Sequence, residues 1–417
     1  MSKGSMSKGG MSKGGMSKAS NRRPGFQTRA IHFGFDPADH QRAVTPPIYM
    51  TSTFAFESVE DAESVAEQAG ATYAREHNPT TAILEGRLAE LEGGEACVAL
   101  ASGMAAVGTL LLSLLSQGDA VVVHATLYSN SFAMAHDGLP RFGIQVIPVD
   151  LADPANLDAV LDAMPDGRVK LVYFETPVNP TAQILDIAAI AARAHAAGAR
   201  VVVDSTFASP AVQRPLEHGA DIVLHSLTNY INGHGDMLGG ALIADRETIA
   251  RIRGTGLRYI TGATLSPMAA FLVLRGLKTL KLRMDVHGAN ALAIARMLEA
   301  HPKLAWVRYP FLESDPGHAI ARRQMSHGSA MMAFGLKAGF EGARRMMNGL
   351  AVIARAVSLG DAESLIMHPA SLTYARRRTR PDAKLATGVS EDLVRLSVGL
   401  EDVADLLDDL ETALGAV

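Results

Sequence analysis

Residues 170–206 read KLVYFETPVNPTAQILDIAAIAARAHAAGARVVVDST. Two short apolar runs, KLVYFET (170–176) and RVVVDST (200–206), flank the helix-length, alanine-rich segment DIAAIAARAHAAGA (186–199). A short apolar run bounded by turn residues is the pattern of a strand buried on both faces. The same pattern recurs outward, at VVVHA (121–125), DIVLHSL (221–227) and GALIA (240–244), and ACVALASG follows a helix-like stretch from Thr81 to Leu91. Strands alternating with helices imply right-handed crossovers, hence an α/β fold with a mostly parallel sheet flanked by helices. Such sheets bind ligands at the carboxyl ends of their strands.

After about residue 260 the pattern changes. Helical stretches at Pro267–Leu280 and Val286–Ala300 precede short strands at WVRYP, MMAFGL and VRLSVG, and the chain ends in the amphipathic EDVADLLDDLETAL. This predicts a smaller C-terminal α+β domain over 263–417, beside an α/β domain over 76–262. Residues 21–75 lack clear periodicity and read as an arm that contacts a partner subunit. Residues 1–20 repeat MSKGS, MSKGG, MSKGG and MSKAS, a low-complexity leader or tag with little to bury.

At 417 residues the chain exceeds one small core, and 48% hydrophobic with 20% charged residues is ordinary for a globular protein. A formal net charge of -4 gives no electrostatic case for nucleic acid. The one basic cluster, Arg376, Arg377, Arg378 and Arg380, reads as a solvated loop. A single cysteine, Cys97, excludes an intramolecular disulfide and fits a reducing compartment. The charge-free run 96–118 contains Ser102, Gly103, Gly108 and Ser113, so it reads as a strand breaking into a helix and not as a membrane span. With no apolar signal core at the N-terminus, a cytoplasmic location is expected.

Chemistry is expected at the strand ends. Asp204 closes VVVD, where a buried carboxylate is costly unless something positive meets it. It is either a cap or a partner for a protonated ring nitrogen, as in a pyridoxal phosphate (PLP) site. ASGMAA (101–106) is either a bare strand–helix turn or a helix N-terminus cradling phosphate, involving Gly103 and Met104. Ser226 and Thr228 could add two hydroxyls to that phosphate, and Tyr73 and Arg75 a charge-assisted contact. Tyr128 either lies over a flat ring or simply packs. No dinucleotide fingerprint, P-loop, HExxH or nucleophile elbow is present; His225 and His234 are the only histidine pair near this site, without cysteine support for a metal.

YAREHNPT, LEGGEACVALASGMAA, ETPVNPT, VVVDSTFASPAVQRPLEHGADIVLHS, SLGDAESLIMHPAS and VRLSVGLED, in that order and spacing, resemble the Cys/Met-metabolism family of PLP-dependent enzymes. The resemblance runs from near residue 25 to the C-terminus and implies the fold type I PLP-dependent transferase fold, with a seven-stranded-type sheet. It also implies pyridoxal 5'-phosphate as cofactor, an amino-acid substrate, and a homotetramer of dimers that share active sites. Carried over, Gly103, Met104, Ser226 and Thr228 hold the phosphate, with Tyr73 and Arg75 doing so across a subunit boundary. Asp204 meets the ring nitrogen, Asn179 the phenolic oxygen, and Tyr128 stacks and protonates the leaving thiol. Arg395, with Ser358 beside it, grips the substrate carboxylate.

The C-terminal segments are most similar to the methionine γ-lyase branch of that family. Val357 replaces a glutamate that cystathionine-handling members tend to carry, which favours a short apolar side chain. Asn130 departs the other way, since methionine γ-lyases usually have cysteine there; homocysteine and O-acyl-homoserine stay open as substrates. The family pattern H-S-x-T-K-Y reads here H-S-L-T-N-Y. The lysine's amine holds the cofactor covalently and then moves protons, and the Asn229 amide can do neither. No lysine lies between Lys170 and Lys278 to replace it. The expectation is cofactor held noncovalently, or only through a bound amino acid, with turnover cut by loss of a general base worth ~10²–10⁴ and of covalent catalysis.

Overall fold

The computed structural model describes residues 22–67, 72–164, 167–372 and 389–417. The leader over 1–20 and the arginine cluster at 376–380 lie outside the described residues.

Seven strands form the first sheet: β1 (Ala96–Leu100), β2 (Ala120–His124), β3 (Gln145–Val149), β4 (Val169–Glu175), β5 (Arg200–Asp204), β6 (Ile222–Ser226) and β7 (Gly240–Ala244). Their spatial order is β1-β7-β6-β5-β4-β2-β3. All pairings are parallel except those of β7, which runs antiparallel to both β1 and β6. The mostly parallel sheet expected from the 170–206 pattern is present. β2 and β7 are buried at every position, as continuous apolar runs covered on both faces should be.

The crossover between β4 and β5 shows the local logic. Asp186 accepts from Ala189 N at 3.1 Å and caps the helix Ile187–Ala196. Ile187, Ile190, Ala191 and Ala194 then fall on one buried stripe against the sheet, and Gly198, at φ +72, ends the run.

Five further strands form a second sheet: β8 (Leu304–Arg308), β9 (Met331–Leu336), β10 (Ala354–Arg355), β11 (Leu365–Met367) and β12 (Leu393–Ser397). Their order is β10-β11-β12-β9-β8. One core joins the two sheets, running from Ala241 and Ile243 in β7 through Leu274 and Ile294 to Leu396 in β12. The two helices expected between the sheets are Pro267–Leu277 and Leu280–Ala300, so the first ends three residues early and the second starts six residues before the expected Val286. Its buried face includes Arg283 and His287, polar residues that hide the apolar period of that turn.

Part of the segment expected as an arm packs on the chain's own core: the helix Phe26–His32 buries Ala30 against it, and Phe35 follows. Beyond it, Val44, Met50 and Val59 are exposed. No helix among the described residues is long and apolar enough to cross a membrane.

Candidate active site

β4, β5 and β6 end side by side on Glu175, Asp204 and Ser226, and Ser226 pairs with Gly240 at the start of β7. A cavity of about 390 Å³ opens at this edge. Gly103, Met104, Tyr128, Asn179, Thr228 and Asn229 line it, together with Ser358 and Arg395 from the second-sheet side.

One end of the cavity is rich in hydrogen-bond donors. Ser102 is extended, and its Oγ accepts from Ala105 N at 3.0 Å, which starts the helix Gly103–Leu114. The first N–H groups of a helix have no partner within it, so those of Gly103 and Met104 are left for an anion at the positive end of the helix dipole. A Cβ on Gly103 would sit 3.1 Å from Ser226 Cβ. Glycine thus lets the Ser226 hydroxyl come alongside the helix N-terminus. Thr228 is set by Gly239, whose N donates to Thr228 Oγ1 at 3.2 Å.

The floor carries two buried carboxylates. Burial first, opposed by the Thr206 hydroxyl and N–H, holds the Asp204 carboxyl above the usual carboxylate range. Among the described residues Asp204 has no ion-pair partner, so a cation in the cavity would bring it back to an anion. Glu175, its neighbour across the strand pair, is pushed well above its ordinary value by burial and then by Asp204. Glu175 Oε1 accepts from Tyr128 N at 2.8 Å and Oε2 from Asn179 N at 3.3 Å. It therefore sets the backbone of two site residues at once. Sequence reasoning passed over Glu175 and Thr206, although Glu175 closes an apolar strand just as Asp204 does. Tyr128 Oη accepts from Asn130 Nδ2 at 2.9 Å.

The opposite wall is cationic. Buried Arg395 donates from Nη1 to Asn179 Oδ1 at 2.9 Å and from Nη2 to the Ser358 carbonyl at 2.7 Å. Among the described residues its buried Nε has no partner, and no carboxylate pairs with it. Burial lowers the guanidinium to about 10, so it stays charged at neutral pH. Because Asn179 Oδ1 faces Arg395, its Nδ2 is the end left to donate elsewhere. Asn229, 7% exposed, donates from Nδ2 to the Leu359 carbonyl at 2.7 Å. Among the described residues no lysine lines the cavity.

Five of the sequence's candidates lie elsewhere. Tyr73 is 44% exposed, with the Arg75 guanidinium 5.3 Å over its ring, and neither lines the cavity of this chain. His225 Nε2 is 2.9 Å from Glu92 Oε2, both side chains 1% exposed, and His234 Nδ1 lies 2.6 Å from the Asn232 carbonyl. Among the described residues no three metal-ligating side chains gather. Val357 is 61% exposed and does not reach the cavity lining.

A helix N-terminus with two hydroxyls, an unpaired carboxylate and an unpaired guanidinium therefore share one cavity. That donor set fits a phosphorylated pyridine with a protonated ring nitrogen, beside a ligand carboxylate.

The family pattern described as Cys/Met metabolism PLP-dependent enzyme matches residues 27–415. Over 399 residues the chain is 50% identical to an L-methionine gamma-lyase of Pseudomonas putida, covering 95% of this chain and 99% of that one. It is 45% identical over 391 residues to a cystathionine gamma-synthase of Mycobacterium bovis, covering 94% and 97%. Its fold is similar to the crystal structure of metB from Corynebacterium glutamicum, with a TM-score of 0.86 at 37% identity over 94% of this chain and 98% of that one.

Proposed function

Because the chain belongs to the Cys/Met metabolism PLP-dependent enzyme family, we propose that its site is built for α,γ-elimination of L-methionine or homocysteine. The products are a thiol, ammonia and 2-oxobutyrate, and Asn229 cripples that turnover. At the coarser level, the family and the relatives make it a PLP-dependent C–S lyase or transferase of sulfur amino acids. The observation that carries the finer reading is Asn229 in a cavity that otherwise has a complete donor set and, among the described residues, no lysine.

Bound there, pyridoxal 5'-phosphate supplies an electron sink for breaking the substrate's C–H and C–S bonds. The chain's residues do the rest. Gly103, Met104, Ser226 and Thr228 would hold the phosphate, and Asp204 would balance the protonated ring nitrogen. Asn179 Nδ2 would donate to the phenolic oxygen. Arg395, supported by Ser358, would take the substrate carboxylate, fixing which face of the α-carbon meets residue 229. Tyr128 would stack on the ring, and its hydroxyl would hold the proton taken by the departing thiolate. The Asn229 amide has no lone pair basic enough to take the α-proton near neutral pH, so that step has no base.

Asn229→Lys, assayed for 2-oxobutyrate from methionine, should gain at least about 10²-fold. No gain in cofactor-loaded protein would overturn the lyase reading and favour a noncatalytic binder of the cofactor and amino acids. A transferase is the second reading, supported by the cystathionine gamma-synthase relative and by Asn130, whose amide donates to the Tyr128 hydroxyl. It predicts product only when an O-acyl-homoserine and a thiol are supplied together. The exposed Val44, Met50 and Val59, with Tyr73 and Arg75 outside their own cavity, support a homotetramer of dimers, each chain lending these residues to its neighbour's phosphate. A light-scattering mass of one chain would rule that out. The expected location is the cytoplasm.

A further inference from the structure

We infer that Asn229 is a positioning residue for the carboxylate site: through the Leu359 carbonyl it fixes the loop against which Arg395 is braced. The inference rests on the reading that Arg395 takes a ligand carboxylate.

Three consecutive residues of that loop are each tied to a different residue at or behind the cavity. The Ser358 carbonyl accepts from Arg395 Nη2 at 2.7 Å, the Leu359 carbonyl from Asn229 Nδ2 at 2.7 Å, and Gly360 N donates to Ser397 Oγ at 2.9 Å. The backbone is kinked on both sides of Leu359, with Ser358 at φ +80 and Gly360 at φ +77. A serine in the left-handed region persists only where its surroundings over-determine it. The hydrogen bonds to 358, 359 and 360 are that over-determination.

The middle tie decides how Arg395 presents itself. Of its two terminal nitrogens, one rests on Asn179 and the other on the Ser358 carbonyl, so the guanidinium is as well ordered as Ser358 is. Without a donor at 229 the Leu359 carbonyl loses its partner, and the loop keeps only the ties on either side. Arg395 would then have to be ordered by the ligand, at a cost in affinity. An asparagine suits this post. It is neutral, planar and short enough to stay buried, and an aspartate at neutral pH would set an anion against the Leu359 carbonyl. Asn229 is thus more than an absent base. It contributes to holding a carboxylate ligand, and a lysine there serves turnover without this fixed planar donor.

The test uses the full chain loaded with pyridoxal 5'-phosphate and 4-(methylthio)butanoate, the methionine skeleton without its amine. Calorimetry gives the carboxylate affinity, and an absorbance titration gives the cofactor affinity. Asn229→Ala should weaken the carboxylate about fivefold, the equivalent of one net hydrogen bond, and leave cofactor affinity within about twofold. Ser397→Ala, which loosens the same loop from behind, should do likewise and provides the measurement if Asn229→Ala is insoluble. Unchanged carboxylate affinity in both variants overturns the inference, as does a parallel loss of cofactor and carboxylate affinity. If the unsubstituted protein ignores the carboxylate, the assignment of Arg395 beneath the inference fails as well, so the two failures are distinguishable.

Discussion

Thr206 Oγ1 donates to Asp204 Oδ1 at 2.5 Å, and Thr206 N donates to the same oxygen at 3.0 Å. Ser226 N in turn donates to Thr206 Oγ1 at 2.8 Å. Two donors on one carboxylate oxygen anchor Asp204 at the edge of the cavity. Thr206→Val keeps the volume and removes the hydroxyl. It should weaken pyridoxal 5'-phosphate about tenfold, the scale of a hydrogen bond to a charged group. A carbocyclic analogue with no ring nitrogen should bind both forms alike, whereas a merely structural defect would weaken both ligands.

Among the described residues no carboxylate pairs with the buried Arg395, so its removal should be felt by ligands more than by the fold. Arg395→Leu should cost a carboxylate ligand on the order of 2–5 kcal/mol, read by calorimetry, the scale for losing one partner of a buried charge pair. Retained carboxylate binding would exclude Arg395 as the grip.

The Glu92–His225 pair lies on the far side of the strand that presents Ser226, almost wholly out of water. Breaking such a pair from one side is more harmful than replacing it whole. His225→Leu alone should destabilise by about 3–5 kcal/mol, while His225→Leu with Glu92→Met should cost clearly less. Urea unfolding of the three proteins checks the order.

Asp361 should make stability depend on pH. Burial, then the carboxylates of Glu363 and Asp236, pushes it up to about 6, against the Gly235 N–H and the charge of His234. A raised carboxylic acid means the fold favours the protonated form. Its destabilising effect is therefore absent below the usual carboxylate range, grows as pH rises through about 6, and is complete above that. Asp361→Asn should raise the urea midpoint at about pH 8 and leave it nearly unchanged at about pH 4. An equal rise at both would exclude titration as the cause.

The first sheet was legible because β2, β4, β5, β6 and β7 are continuous apolar runs, a signal that needs no tertiary knowledge. β3 was not, because QVIPV sits at the sheet's edge, half exposed and broken by Pro148. The early start of the helix at Leu280 was hidden for the opposite reason: Arg283 and His287 are buried but polar. At the site, Asp204, Ser226 and Arg395 could be named because each stands at the end or in the middle of a recognisable strand. Thr206, Glu175 and the Leu359 carbonyl could not, since each matters through a bond to another residue that only folding supplies.

Asn179 sits where the two sheets meet, with its backbone N–H on Glu175 and its side-chain oxygen on Arg395, 216 positions later in the chain. In the proposed site a single amide would thus serve both the ring and the carboxylate grip. Sharing of this kind is reciprocal: whatever a carboxylate does to cofactor affinity through Asn179, the cofactor must do to carboxylate affinity by the same factor. In the proposed site the two ligands would thus be linked through one residue. Affinities for either ligand measured alone therefore do not add up to the affinity of the pair unless that factor is one.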